Sequence, residues 1–360
     1  MRTQPRFGLS HYKGTQVKPL QRWTALLNGQ PVDRPPFVPA IYEHKAALIG
    51  VTPSAMSRNA ELLEHALSRE LDLYEPDALT VGCDVYNIEA EAAGARVRFR
   101  ETNDVPSIAE RPLRPGQDVR SLPIPDPERC GRMPVFLEAG RRIQARHGAD
   151  VLVRGALSAP FSMACELAGD EPMLTALLDD PEWAASLLDF CRVAVEAYGK
   201  AFVDRGLGVI LFDSHAAPPL VSPSLYRSII LPTTARTIAY FRKDLGVPLV
   251  PYIIGGDTAP LLDLILATET NNVLCDFRAD LSAFVERLKD RPVFLRANLD
   301  PRMLVSAEPA EILAAARRIL AIGVGHPRFL LGTGILPYDL PPEKVLAVRK
   351  ALVEPAPDGM

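Results

Sequence analysis

The sequence predicts a single (β/α)8 barrel of the TIM type, with a hairpin and loop inserted after the second strand. Two observations predict it. Eight short runs rich in Val, Ile, Leu and Phe lack in/out alternation, as strands covered on both faces should. Helical patterns lie between most of them, and eight such alternations are the count of a closed barrel. A doubly wound open sheet is the competing architecture, but no GxGxxG follows the first strand.

Strand candidates fall at residues 36–42, 78–86, 151–159, 208–215, 247–256, 272–277, 292–299 and 328–335. Helical patterns occupy 61–74, 181–206, 224–246, 281–290, 310–323 and 341–352. The last has proline in its first turn and Glu343 near its start, as helix N-termini prefer. Residues 89–130 break the alternation, with β-like pieces at 97–100 and 105–109. They read as a hairpin and loop over the barrel mouth, an insertion large enough to expect function or motion. The expected organisation is an arm (1–21), a barrel (22–353) and a frayed tail (354–360).

Forty basic against 44 acidic residues leave a net charge of −4, too weak for electrostatic nucleic-acid binding or a polybasic membrane anchor. Hydrophobic content of 48% with 23% charged residues suits a large core and excludes disorder for most of the chain. The 34 prolines, well above the usual share, must punctuate element boundaries. Five scattered cysteines without a CxxC pair argue against a disulfide framework or zinc ribbon, so a reducing compartment is the default. With no secretory h-region and no apolar run of spanning length, the expectation is a soluble, cytoplasmic protein.

Barrel enzymes carry their chemistry at the C-terminal ends of the strands. Here those ends read Tyr42-Glu43-His44, Cys83-Asp84-Val85-Tyr86-Asn87, Asp213-Ser214-His215, Tyr252 with Gly255-Gly256-Asp257-Thr258, Cys275-Asp276, Asn298 with Asp300, and Thr333. Asp84, His215 and His44 are the catalytic candidates. A carboxylate closing an apolar strand must be paired, hydrated or working, and its burial should raise its pKa. Tyr42, Glu43, Asn87, Asp213, Tyr252, Gly256, Asp257, Asn298 and Thr333 are the substrate-binding candidates. Several have a plainer reading: Asp213 and Asp276 as helix caps, and the Gly-Gly-Asp-Thr run as a turn with its N-cap. Asp84, His215, Tyr252 and Asn298 are expected to meet in one cleft.

From about Arg22 to Leu352, the order of these pieces resembles the uroporphyrinogen decarboxylase superfamily, which includes corrinoid-dependent methyltransferases. The resemblance rests on Cys83-Asp84-Val85-Tyr86-Asn87-Ile88-Glu89-Ala90-Glu91-Ala92-Ala93-Gly94 and Phe212-Asp213-Ser214-His215. It also rests on Ser222-Pro223 with Leu231-Pro232, Gly256-Asp257-Thr258, and Ala297-Asn298-Leu299-Asp300-Pro301. The family implies a TIM-type barrel. Its porphyrinogen decarboxylases carry arginines just after strand one, where this chain reads Ile41-Tyr42-Glu43-His44-Lys45-Ala46, and a histidine on strand eight, where it reads Leu331-Gly332-Thr333-Gly334. Its thiol-methylating members bind zinc at places held here by Ile253, Gly255 and Ile335, none a ligand. What remains implies methyl transfer from a small O- or N-methylated substrate to a corrinoid (cobalamin) protein, with no tightly bound cofactor of its own. Asp84 or His215 would protonate the leaving group, and Tyr42, Asn87 and Tyr252 would orient the substrate. Zinc on other ligands, drawn from Glu43, His44, Asp84 and His215, and a homodimer stay open. The alternatives are decarboxylation of a pyrrole-type or other electron-rich carboxylate, with Asp84 steadying a cation, and a barrel that only binds.

Overall fold

The computed structural model describes residues 17–354, so most of the expected arm and all but the first residue of the tail lie outside the described residues. Eight parallel strands form the barrel wall: β1 (Phe37–Ala40), β2 (Ala78–Val81), β5 (Leu152–Ser158), β6 (Gly208–Phe212), β7 (Tyr252–Ile253), β8 (Asn272–Cys275), β9 (Phe294–Leu299) and β10 (Phe329–Ile335). They pair as two arcs, β2-β5-β6-β7 and β8-β9-β10-β1. A parallel bridge between Pro251 and Asn272 joins β7 to β8. At the other seam the Asp77 amide donates to the Phe37 carbonyl at 2.8 Å, bringing β2 against β1. The expected (β/α)8 ring closes.

Inward side chains stack in layers, as barrel interiors require. At the N-terminal end Val38, Ala78, Leu249, Phe294 and Leu330 pack together, plugged by Trp23 and Leu26 of helix Pro19–Leu27. Nearer the C-terminal end Ala40, Tyr42, Ala156, Ile210, Phe212, Ile253 and Leu274 form a second apolar layer. Asp77 ties down the base: its buried carboxylate meets Arg22 and Arg34, and its carbonyl accepts from Trp23 Nε1 at 2.6 Å.

Two strands are shorter than their apolar runs. β2 ends at Val81 and the chain turns through Gly82, where a Cβ would come within 2.7 Å of Ala156. β7 keeps two residues because Pro248 and Pro251 supply no N–H to a ladder. The helical run 224–246 is broken by π-turns at Tyr226–Ile230 and Tyr240–Asp244, flanking Leu231–Ala239. Pro232 supplies no N–H in the first turn of that central piece, so the ladder slips just before it. Helices Met133–His147, Pro160–Ala168 and Asp170–Asp179 are additional to those read from the sequence.

The insertion starts with a helix, Asn87–Ala92, before the expected hairpin β3 (Arg96–Arg98) and β4 (Ser107–Glu110), which pair antiparallel. The hairpin is anchored by Asn87 Nδ2 donating to the Pro106 carbonyl at 2.6 Å, and Phe99 lies under the Arg132 guanidinium at 5.0 Å. It flanks the end of β2 and contributes no wall to the cavity described next.

Candidate active site

A cavity of about 270 Å³ opens at the C-terminal ends of the strands. Its wall is mostly apolar: Ala40, Tyr42, Val85, Phe212, Ile253, Leu274, Phe277, Pro301 and Ile335. Tyr86, Ser214, Asp276, Arg296 and Asn298 supply the polar points. An apolar hollow with a few converging polar groups is the usual form of a small-molecule site.

Arg296 comes from the middle of β9, one inward step below Asn298. Its Nε donates to Asn298 Oδ1 at 2.9 Å and one Nη to the Thr333 carbonyl at 3.1 Å. Gly332 makes the room, since a Cβ there would stand 2.5 Å from Arg296 Nε. Arg154 on β5, also buried, donates from Nε to Thr80 Oγ1 at 3.1 Å. Burial, with the charge of Arg296 beside it, lowers the Arg154 pKa to about 10. Tyr86 accepts from the Ser214 amide at 3.3 Å, and burial pushes its phenol up to about 12. Tyr42 sits edge-on to Phe212, its phenol likewise pushed up by burial. Asp276 accepts from the Gly256 amide at 2.8 Å, where a φ of +84° suits glycine.

Of the residues chosen from sequence as catalytic or substrate-binding, Tyr42 and Asn298 line this cavity, as do Tyr86, Ser214 and Asp276 from the same strand ends. Asp84 stands behind the wall, fully buried and gripped at both oxygens by Arg132 at 3.1 and 2.7 Å, with Asn87 Nδ2 at 3.4 Å. Burial raises its pKa, and Arg132 and Asn87 oppose the rise. The little polar cover expected of Asp84 is therefore corrected by an arginine 48 residues onward. His44 faces away: Nε2 meets the Tyr74 hydroxyl at 2.7 Å, and Nδ1 lies 3.1 Å from the Pro337 and Tyr338 carbonyls. Glu43, half-buried, stands just before the short helix His44–Ala47, its pKa raised by burial. Asp213 accepts from the Ser162 amide and hydroxyl at 2.9 and 2.7 Å and from Tyr252 at 2.6 Å, with Tyr226 donating to Tyr252 behind. Burial lifts Asp213 to about 6. That network ties β6 and β7 to helix Pro160–Ala168, outside the cavity. Thr333 Oγ1 accepts from the Ala40 amide at 3.1 Å, where the β1 register shifts. Asp257 caps the Ala259 amide at 3.1 Å. The four residues expected in one cleft thus share one end of the barrel, but only Asn298 faces the cavity.

His215 stands at the rim, 5.2 Å from the Tyr86 ring. Its Nδ1 lies 3.3 Å from Asp170 and its Nε2 3.7 Å from Glu166. Burial lowers the His215 pKa and lifts Glu166 to about 7. Glu43, His44, Asp84 and His215 do not gather as one metal-binding set. Among the described residues the group that could hold a metal ion is Cys165, Asp170 and His215, with donor atoms up to 4.8 Å apart. Zinc bonds of ~2.0–2.3 Å bring tetrahedral ligands to about 3.5 Å, so this set would have to contract. Ile253, Gly255 and Ile335 do meet on the cavity wall, and offer no donor.

Sequence reasoning passed over Arg132, Arg154 and Arg296. An arginine inside an otherwise apolar strand, two residues before a residue assigned to the site, was the signal for Arg296. Arg132, reaching back from a helix start, left no such signal.

The profile of the uroporphyrinogen decarboxylase (URO-D) family matches residues 18–354. The chain is 27% identical over 317 residues to the methylcobamide:CoM methyltransferase MtbA of Methanosarcina acetivorans, covering 86% of this chain and 91% of that one. It is 32% identical over 327 residues to the uroporphyrinogen decarboxylase of Nocardia farcinica, covering 87% and 86%. A solved methyltransferase from Methanosarcina mazei superposes with a TM-score of 0.82 at 22% identity, covering 93% of this chain and 98% of that one. This last likeness shows the fold. No helix among the described residues is long and apolar enough to cross a membrane.

Proposed function

This chain belongs to the uroporphyrinogen decarboxylase (URO-D) family, whose relatives named above are enzymes, and we propose that it moves a methyl group from a small O- or N-methylated substrate to the corrinoid of a partner protein. The observation that carries the reading is the cavity itself. At about 270 Å³ it lies at the small end of ligand sites and is lined by apolar side chains, which suits a substrate far smaller than a tetrapyrrole. With Ile253, Gly255 and Ile335 on its wall, it lacks the donors that would activate a thiol there.

A corrinoid in its reduced Co(I) state supplies the nucleophile that takes the methyl group. This chain holds the substrate and handles the leaving atom. The apolar wall excludes water, while Tyr42 and Asn298 orient the polar end. As the methyl–heteroatom bond breaks, the leaving oxygen or nitrogen keeps the electron pair and needs a proton. Tyr86 is placed to give it: its oxygen already accepts from Ser214, which leaves its own O–H free to point into the cavity. His215, against the Tyr86 ring and beside Glu166 and Asp170, holds the phenol in place at the rim, and water entering the open mouth restores the proton. Asp84 acts as a positioning residue, fixing through Arg132 the turn that carries Val85 and Tyr86. Its engagement with Arg132 also weakens the decarboxylase alternative, which asks for a carboxylate open to the substrate.

The test incubates the protein with cob(I)alamin and a panel of O- and N-methyl compounds, following methylcobalamin formation by absorbance. Methylcobalamin that requires both protein and substrate is expected. Release of carbon dioxide from an electron-rich carboxylate, without methylcobalamin, would overturn the reading.

A further inference from the structure

Four arginines of the described chain are buried, and they divide into two kinds. Arg22 meets Asp33 at 2.7 Å and also Asp77, while Arg132 meets Asp84 and Glu91 at 2.7 and 2.6 Å. Arg154 and Arg296, inside the barrel, have no carboxylate within 4.0 Å among the described residues, and their bonds go to Thr80, Asn298 and the Thr333 carbonyl. The nearby acids do not reach them: Glu70 pairs with Lys45 at 3.3 Å, and Asp276, beyond 4.0 Å from Arg296, accepts from the Gly256 amide. Like charges buried without counter-ions carry a large desolvation penalty that a bound anion would offset.

We propose that the ligand of this cavity is a small carboxylic acid, its carboxylate meeting Arg296 at the cavity floor with Arg154 behind it, and its apolar body lying against Phe212, Ile253 and Leu274. Both arginines occupy the inward layer between the apolar base of the barrel and the cavity wall, β5 and β9 each placing one there. Arg296 commits Nε and one Nη to protein acceptors, which fixes the plane of the guanidinium and leaves the other Nη for the ligand. A carboxylate oxygen meeting that Nη would make a short, charge-assisted hydrogen bond. The inference rests on the proposed function only in taking this cavity as the substrate site.

Binding needs neither corrinoid nor methyl transfer, so calorimetry with the apo protein separates the two claims. Benzoate should bind, and its neutral isostere benzamide at least ~30-fold more weakly. Arg296→Gln should cost benzoate at least ~30-fold while changing benzamide little. Arg154→Gln should weaken benzoate less. Equal affinity for benzoate and benzamide would overturn the proposal. So would an undiminished Arg296→Gln, no binding by benzoate or 3-methylbutanoate, or a clear preference for phenyl phosphate. The benzoate–benzamide comparison on the wild-type protein decides the matter even if the variants fail to fold.

Discussion

Replacing Asp84 by asparagine removes a charge from a fully buried ion pair while keeping its shape. In the native protein Arg132 donates to both Asp84 oxygens, at 3.1 and 2.7 Å, and keeps a third bond to Glu91 at 2.6 Å. Breaking a buried pair typically costs about 3–5 kcal/mol, chiefly because the surviving charge is stranded. Here Glu91 still faces the guanidinium, so the loss should fall at or just below the bottom of that range, about 2–3 kcal/mol. Urea denaturation at neutral pH measures it directly. Adding Arg132→Met removes the stranded guanidinium but takes the partner from Glu91, so the double variant should recover about 1 kcal/mol of the loss rather than all of it. Stability of Asp84→Asn within about 0.5 kcal/mol of wild type, or strict additivity in the double variant, would contradict a stabilising Asp84–Arg132 pair. A fully stable variant whose rate falls ~10²–10⁴ would show Asp84 touching the reacting atoms instead.

Glu89 is buried against the Ser158 amide at 2.8 Å, and its pKa is lifted by burial to about 8. A folded-state pKa above the unfolded one gives stability that is present at low pH and lost as pH rises through about 8. Glu89→Gln should therefore gain on wild type between pH ~5 and ~8.5 in urea midpoint, and a constant difference would contradict this. Gly332→Ala would bring a Cβ within 2.8 Å of the Val38 carbonyl as well as onto Arg296. A loss of about 1–3 kcal/mol by thermal unfolding, with benzoate binding weakened, is expected. Tyr86→Phe should lower methyl transfer ~10²–10⁴-fold. Its stability should fall only about 1 kcal/mol by urea unfolding, since a single hydrogen bond from Ser214 is lost.

The barrel was legible because its strands carry the signal of burial on both faces, and β8 and β9 are buried at every position. Their limits were less so: β2 stops at Gly82 although the apolar run continues, and β7 starts only after Pro248 and Pro251 although its run begins earlier. Helix Met133–His147 was also within reach, since Phe136, Leu137, Gly140 and Ile143 are buried at helical spacing. The site divides more sharply. Position at a strand end picked out Tyr42 and Asn298, because side-chain parity in a strand is fixed by local geometry. It equally picked out Asp213, Tyr252 and His44, whose side chains turn into the surrounding helices, and sequence carries no mark of that turn. Asp84 was read as lonely because its partner is brought back by a helix start beyond the insertion, a contact only tertiary structure supplies.

Methyl transfer and decarboxylation part company on one doubly labelled substrate. A methoxybenzoate carrying distinct isotopic labels in its methyl and carboxyl carbons is given to the protein with cob(I)alamin. Mass spectrometry then follows both labels. The methyl label is expected on the corrinoid, with the carboxyl label remaining in the demethylated product. The carboxyl label leaving as carbon dioxide with the methoxy group intact would contradict methyl transfer.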